Sequence, residues 1–400
     1  MLRKNLGERY SPMYFLAALG AGGLSVSFYI YLMFMIPHPD APMATFNHLW
    51  PMLQEGATLR AGLVAMALLV ILFFAVIHFT LLWWNLREYA GFRRTPAFAH
   101  LKTSNAEISL MAIPLTLAMT VNVMFVLGAV FVPGLWGIVE WLFPFAILAF
   151  LAIGVYAMRI LGDYFVRLFV HAQFDFAQNN SLAPIVAIFA LAMIAVGLAA
   201  PGAMSHSVAV NAVGIALSIF FATVAVILLV IKLVLGFDSM LRHGIQPAAA
   251  GSLWILIPVM TLLGITWVRL SHGLEHGFGT HGHPAEMFVF GAMVLSVQIL
   301  FGLIGYGVMK RLNYFRDFVG GDKTNPGAFA LICPGVAFFV FGMFFIALGL
   351  VKTGLIGQMS LAYFLFMIPF VLVQLKTIQV FFRLGGKLLL APRGRLAHAA

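Results

Sequence analysis

The chain has 400 residues, of which 62% are hydrophobic and only 9% charged, and its mean hydropathy is +1.02. A soluble domain carries about 25% charged residues, so these figures exclude a soluble enzyme with a large core and define a polytopic membrane protein. The net charge of +10 is what loop topology and contact with anionic lipid require, and no nucleic-acid partner is implied.

A spanning helix takes about 20 apolar residues. By that measure ten spans lie near residues 13–36, 61–84, 107–132, 135–158, 182–203, 207–234, 249–268, 285–309, 327–350 and 359–382. The expected fold class is all-α, with one transmembrane domain over residues 1–400 made of hairpins near 13–84, 107–158, 182–234, 249–309 and 327–382. The apolar run from Met13 to Ile36 follows Arg3, Lys4 and Arg9. It exceeds the roughly 7–15 residues of a signal-peptide core, so it reads as a retained first span. With both ends inside, every Lys and Arg of the 23 falls in the termini or the even-numbered loops except Arg60, Arg269 and Lys352. The positive-inside rule then predicts cytoplasmic termini.

In chain order, the first span carries Gly20, Gly22, Gly23, Ser25 and Ser27, which serve either close helix packing or pore lining. His78, late in the second span, reads as a hydrogen-bonded packing residue; no partners for a haem or metal can be assembled around it, and no cofactor is expected. The third span has one polar edge, Thr116, Thr120 and Asn122, suited to a cavity wall. Glu140 stands near the outer end of the fourth span. Asp163, Arg167, His171 and Asp175 recur every four residues after it, which predicts a helical extension at the cytoplasmic interface. The outer loop from Ser271 to Pro284 holds His272, His276, His281 and His283. His272 and His276 have the spacing of a metal-binding pair on a helix, but the intervening glycines favour a flexible polar loop.

Proline organises the odd-numbered spans. The stretch from Asn325 to Gly335 contains the only cysteine, Cys333, followed by Pro334. The same device precedes it at Pro114, Pro184 and Pro258, with steps of 70, 74 and 76 residues between successive prolines, as in a repeated hairpin. A proline inside a spanning helix frees a carbonyl and bends the helix, which is tolerated where protein or a water-filled cavity satisfies it.

These residues carry a resemblance. The segment from Pro12 to Gly20, Ile113-Pro-Leu-Thr116 in the third span and Gly327-Ala-Phe-Ala-Leu-Ile-Cys-Pro334 in the ninth resemble, in order and spacing, the tellurite-resistance TehA and plant slow-anion-channel family. The resemblance implies five hairpins in pseudo-five-fold array around a pore walled by the odd spans, a homotrimer, and passive permeation of a small inorganic anion. It also implies a gate in the ninth span beside Pro334, with Leu331 and Gly20 nearby. There the family has phenylalanine and this chain has Cys333, as in a sulfur-linked, TsoY-like branch in which the position is cysteine or selenocysteine.

The expected function is therefore an anion channel or transporter of the bacterial inner membrane, for small sulfur-containing anions, with Cys333 at the constriction. The alternative is a membrane-embedded redox subunit or a thiol-dependent sulfur-handling protein. The former asks for acids around a quinone pocket, and the latter for a base beside Cys333. Neither is evident in the sequence.

Overall fold

The computed structural model describes residues 1–56, 58–171, 181–279 and 283–391, without the side chains of residues 171 and 276–278. Among these residues the fold is all-α. Ten helices are long and apolar enough to cross a membrane, and the only extended pairing is an isolated bridge between Leu2 and Leu390. In order the spans are Pro12–Met35, Leu59–Phe92, Asn105–Phe131, Leu135–Val170, Ile185–Met204, Val208–His243, Pro247–Glu275, Pro284–Arg311, Pro326–Val351 and Leu361–Leu388. Each overlaps one expected segment.

The ten spans form two layers. In the odd-numbered spans, 67% to 94% of the most apolar stretch is buried, and in the even-numbered spans only 22% to 39%. Each odd span packs on the next, and the ninth returns to the first, so the five close into an inner ring. The even spans pack outside it and expose Leu69, Phe73, Leu148, Val230, Leu303 and Leu372. Apolar side chains turned outward along the whole outer layer fit acyl chains rather than water. The even helices are also longer, 34 residues in the second and 36 in the sixth. At 1.5 Å per residue the second is about 51 Å long, so it runs past a 30 Å hydrocarbon core into the headgroups. The fourth behaves likewise. The expected helical extension is present: Asp163 and Arg167 continue the helix Val139–His171, while Asp175 lies outside the described residues.

The prolines act differently from the expectation. None of the four bends the middle of a helix. Pro114, Pro258 and Pro334 are each the third residue of an α-helix that begins at Ala112, Leu256 or Ile332, and Pro184 is the residue just before the helix Ile185–Met204. In three of these spans a 3₁₀ stretch leads in: Asn105–Met111, Pro247–Ile255 and Pro326–Leu331. The first span repeats the pattern with Pro12–Tyr14 ahead of Phe15. In the first turn of an α-helix an N–H has no intrahelical partner, so proline sits there at little cost. The repeat is real, and it stands at or beside the change from tight to regular winding.

Polar contacts fasten the ring where these junctions lie. Thr116 donates to the carbonyl of Phe15, the amide of Leu182 donates to Ser252 at 3.0 Å, and Asn325 donates to the carbonyl of Ala248. Buried Glu107 takes Lys102 and Arg167 in a short ion-pair cluster. Arg3 donates to the carbonyls of Lys387 and Leu390, so the segment ahead of the first span is tied to the end of the tenth.

At the opposite end the seventh span corrects the flexible-loop expectation. Its helix continues through Ser271 and His272 to Phe278. Gly273 is there for packing: a Cβ on it would lie 2.5 Å from the carbonyl oxygen of Gly202. The glycine that lowers helix propensity is what lets the seventh span cross the end of the fifth.

Candidate functional site

The inner ring encloses a cavity of about 750 Å³. All five odd spans contribute walls and no even span does. On the first span the lining runs from Leu19 to Phe34, about 22 Å along the helix. The other spans enter the lining at Met119, Phe189, Pro258 and Cys333. The cavity therefore opens toward the end remote from the chain termini, where Pro42, Met43 and Gln358 edge its mouth. Toward the termini the ring is filled by buried Phe15, Met111, Ile185, Leu253 and Phe329. The structure is thus open at one end and closed at the other.

Of the residues singled out from sequence, Cys333, Gly20 and Pro258 meet at the deep end of this cavity. Cys333 is 8% exposed, and that exposure is to the cavity floor. Pro114, Pro184, Pro334 and Leu331 are buried in the wall and do not line it. Gly20 does two things at once. It lines the floor and touches the ninth span, a Cβ on it falling 2.9 Å from Ile332 Cγ2. The polar edge of the third span divides: Thr116 and Thr120 bond within the protein, and only Asn122 reaches the cavity. His78 is fully buried with both ring nitrogens taken, Nδ1 by the carbonyl of Ala18 at 2.8 Å and Nε2 by Thr120 Oγ1 at 3.0 Å. It holds the second span to the first and third, as a packing residue does.

The cavity's charge comes from residues that sequence reasoning passed over. Arg269 and Lys352, two of the three cations that break the loop-charge pattern, both line it. So do His38, His206 and His272, whereas among the described residues no Asp or Glu does. Arg269 stands eleven residues beyond Pro258, about 16 Å above the floor. Its Nη1 donates to the carbonyl of Val196 at 2.6 Å, and among the described residues no carboxylate lies within ion-pair distance. A cation in the wall of a membrane protein's cavity, with no described carboxylate beside it, is a functional suspect. The signal was present in the sequence: a charge on the wrong side of a strong bias needs its own reason.

Lys352 is presented by a change of winding. The ninth span ends in a π-helical turn, Phe345–Val351, with the Lys352 amide donating to the carbonyl of Ala347. The wider turn inserts an extra residue per revolution and turns Ala347, Leu348, Val351 and Lys352 together toward the cavity.

The histidine-rich loop does not assemble a metal centre among the described residues. His272 lines the cavity, and His283 caps the eighth span by accepting from the Ala285 amide. The side chain of His276 and all of His281 lie outside the described residues. Glu140 accepts from Ser205 Oγ and from the His206 amide, fixing the loop at the mouth. Among the described residues no base lines the floor around Cys333; the titratable lining residues Tyr29, His38, His206, Arg269, His272 and Lys352 all lie nearer the mouth.

Compared with known proteins, the chain matches no family model and no curated protein.

Proposed function

We propose that this protein is an anion channel or transporter of the TehA and slow-anion-channel type, its path running through the ring of odd spans. The observation that carries the reading is the cavity's charge: it is walled by all five odd spans and, among the described residues, lined by Arg269 and Lys352 without a carboxylate. Cations at the mouth and midway raise the local anion concentration and exclude cations, the same logic by which rings of charge select ions in pores. Cys333 forms the floor, and the packed residues beyond it close the path toward the termini in this state. Transport then requires those residues to separate.

The clustering of Lys and Arg at the end that carries both termini supports a cytoplasmic location for that end, in a bacterial inner membrane. On this orientation the cavity faces outward. A homotrimer, which the resemblance implies, would cover part of the exposed apolar face of the even spans. Small sulfur-containing anions remain the proposed cargo class from the resemblance. The redox-subunit alternative asks for acids around a quinone pocket, and this cavity has cations in their place.

The test is flux into proteoliposomes holding only the purified protein, with nitrate, chloride, sulfite and thiosulfate offered in turn against potassium as control. Anion flux without any reductase or electron donor is expected. Potassium flux, or no flux of any anion, would overturn the reading.

A further inference from the structure

We propose that the cavity is a binding site for an organic monoanion, a carboxylate or sulfonate whose head pairs with Arg269 and whose apolar body lies on the wall. As a statement about cargo it rests on the anion-translocation reading; as a statement about binding it stands on the cavity alone.

Three observations converge on that chemistry. The first is the head-group site. A guanidinium has five N–H donors in a planar fork that matches two oxygens of one carboxylate or sulfonate. Among the described residues Arg269 makes one hydrogen bond, Nη1 to the Val196 carbonyl, which leaves other donors of that fork without a described partner, and no described carboxylate neutralises it.

The second is size. The cavity holds about 750 Å³, whereas a water molecule's share of the liquid is about 30 Å³. An inorganic oxyanion, a few times larger than water, would occupy a small part of the space. Pockets of roughly 300–1,000 Å³ suit molecules with a body as well as a head.

The third is the wall. Between floor and mouth it is built from Met33, Met119, Met193, Phe125 and Phe344. Such a surface cannot replace the hydration shell of a doubly charged anion, and only one guanidinium lies at depth to offset charge. It does favour an apolar body, and methionine adapts to bodies of different shape. Lys352, exposed at the mouth, and His272 one turn beyond Arg269 suit the capture of the head on its way in.

The test is binding of sodium acetate, butyrate and hexanoate to the full-length protein in detergent, followed by calorimetry, with hexanamide and sulfate as controls. Burying a methylene corresponds to about fourfold in affinity, so hexanoate should bind far more tightly than acetate, and hexanamide and sulfate should bind weakly or not at all. Arg269→Gln should abolish the difference between hexanoate and hexanamide, and Arg269→Lys should restore part of it. Met193→Gln, which leaves the cation untouched, should flatten the chain-length series while acetate binding persists. Sulfate binding as tightly as hexanoate, a flat series in the native protein, or full hexanoate binding by folded Arg269→Gln would each overturn the proposal. If Arg269→Gln does not fold, the Met193→Gln series decides alone. Hexanoate binding without flux of any anion upholds the site and overturns the transport reading. Inorganic anion flux without hexanoate binding upholds transport and overturns the site.

Discussion

Gly20 of the first span lies against Ile332 of the ninth, so close that a Cβ on the glycine would fall 2.9 Å from Ile332 Cγ2 and 3.1 Å from its Cβ. The inner ring closes at this contact, and the floor of the cavity is one residue away at Cys333. A β-branched side chain cannot swing aside freely, so Ile332 has little room to give. One turn further on, Gly23 is looser, with Val336 Cγ1 at 3.3 Å.

These distances set different outcomes for the same chemical change. Replacing a helical glycine with alanine gains about 1 kcal/mol of helix propensity. Overpacking a tight contact loses about 1–3 kcal/mol. Gly20→Ala should therefore lower the thermal unfolding temperature in detergent, and Gly23→Ala should leave it nearly unchanged. Equal effects at the two sites would mean that the closure between first and ninth spans is not as tight as described.

The proline positions give a second prediction. Because Pro114, Pro184 and Pro334 lie at the starts of α-helices, where a proline removes no needed N–H, alanine should alter the helices little. Each substitution should cost no more than about 1 kcal/mol, chiefly through the freedom restored to the unfolded chain. Flux should persist in all three. Pro258→Ala is set apart, since Pro258 lines the cavity and its loss changes the floor. Unfolding temperature and proteoliposome flux measured on the four variants separate these effects; collapse of flux in all four would restore the kinked-helix account.

The loop over the mouth carries a pH dependence. His48 Nε2 lies 2.8 Å from Asp40 Oδ1, and this hydrogen bond holds the Asp40 carboxyl below the ordinary value of 3.8. A carboxyl whose folded value is depressed stabilises the fold at pH above its unfolded value, and the contribution is lost as pH falls through the folded one. His48 is the third residue of the helix Phe46–Gln54, and its Nδ1 accepts from the amide of Thr45, the residue that caps the helix start. Amide exchange in residues 46–54 should thus be faster in Asp40→Asn than in the native protein at pH 7, after correction for intrinsic rates. The difference should vanish once the native carboxyl is protonated. A difference that stays constant down to strongly acid pH would assign the effect to shape and not to charge.

Much of this architecture is legible in the residues themselves, because lipid leaves few options: a run of about 20 apolar residues in this setting has to be a helix. All ten spans follow from that constraint. Their ends do not. Residues such as Asn85 and Glu88 extend the second span beyond its apolar run because they bond to Tyr14, Asn5 and Leu6, partners remote in sequence. The floor of the site was legible through Cys333, which adjoins a proline of the repeat, and through Gly20, which closes the first segment that carries the resemblance. The cationic wall was not, since hydropathy counts Arg269 only as an interruption. What identifies it is a pattern of exceptions, two cations that defy the loop bias and turn out to face one cavity. The π-turn that presents Lys352 leaves no mark in composition or periodicity that would have foretold it.

The central claim is that anions pass Cys333 on their way through the ring, and flux through a substitution series at that residue tests it most directly. Proteoliposomes holding native protein, Cys333→Ala, Cys333→Ser and Cys333→Phe would be compared under one anion gradient, with equal protein incorporation verified. The account predicts a size ordering: Phe, which fills the floor, cuts flux sharply, Ser matches Cys, and Ala conducts at least as well as the native residue. Ser failing like Phe would assign the residue a sulfur-dependent role, since Ser is nearly isosteric but forms neither thiolate nor persulfide. Four identical fluxes would contradict the account outright, because the path would then not run past Cys333.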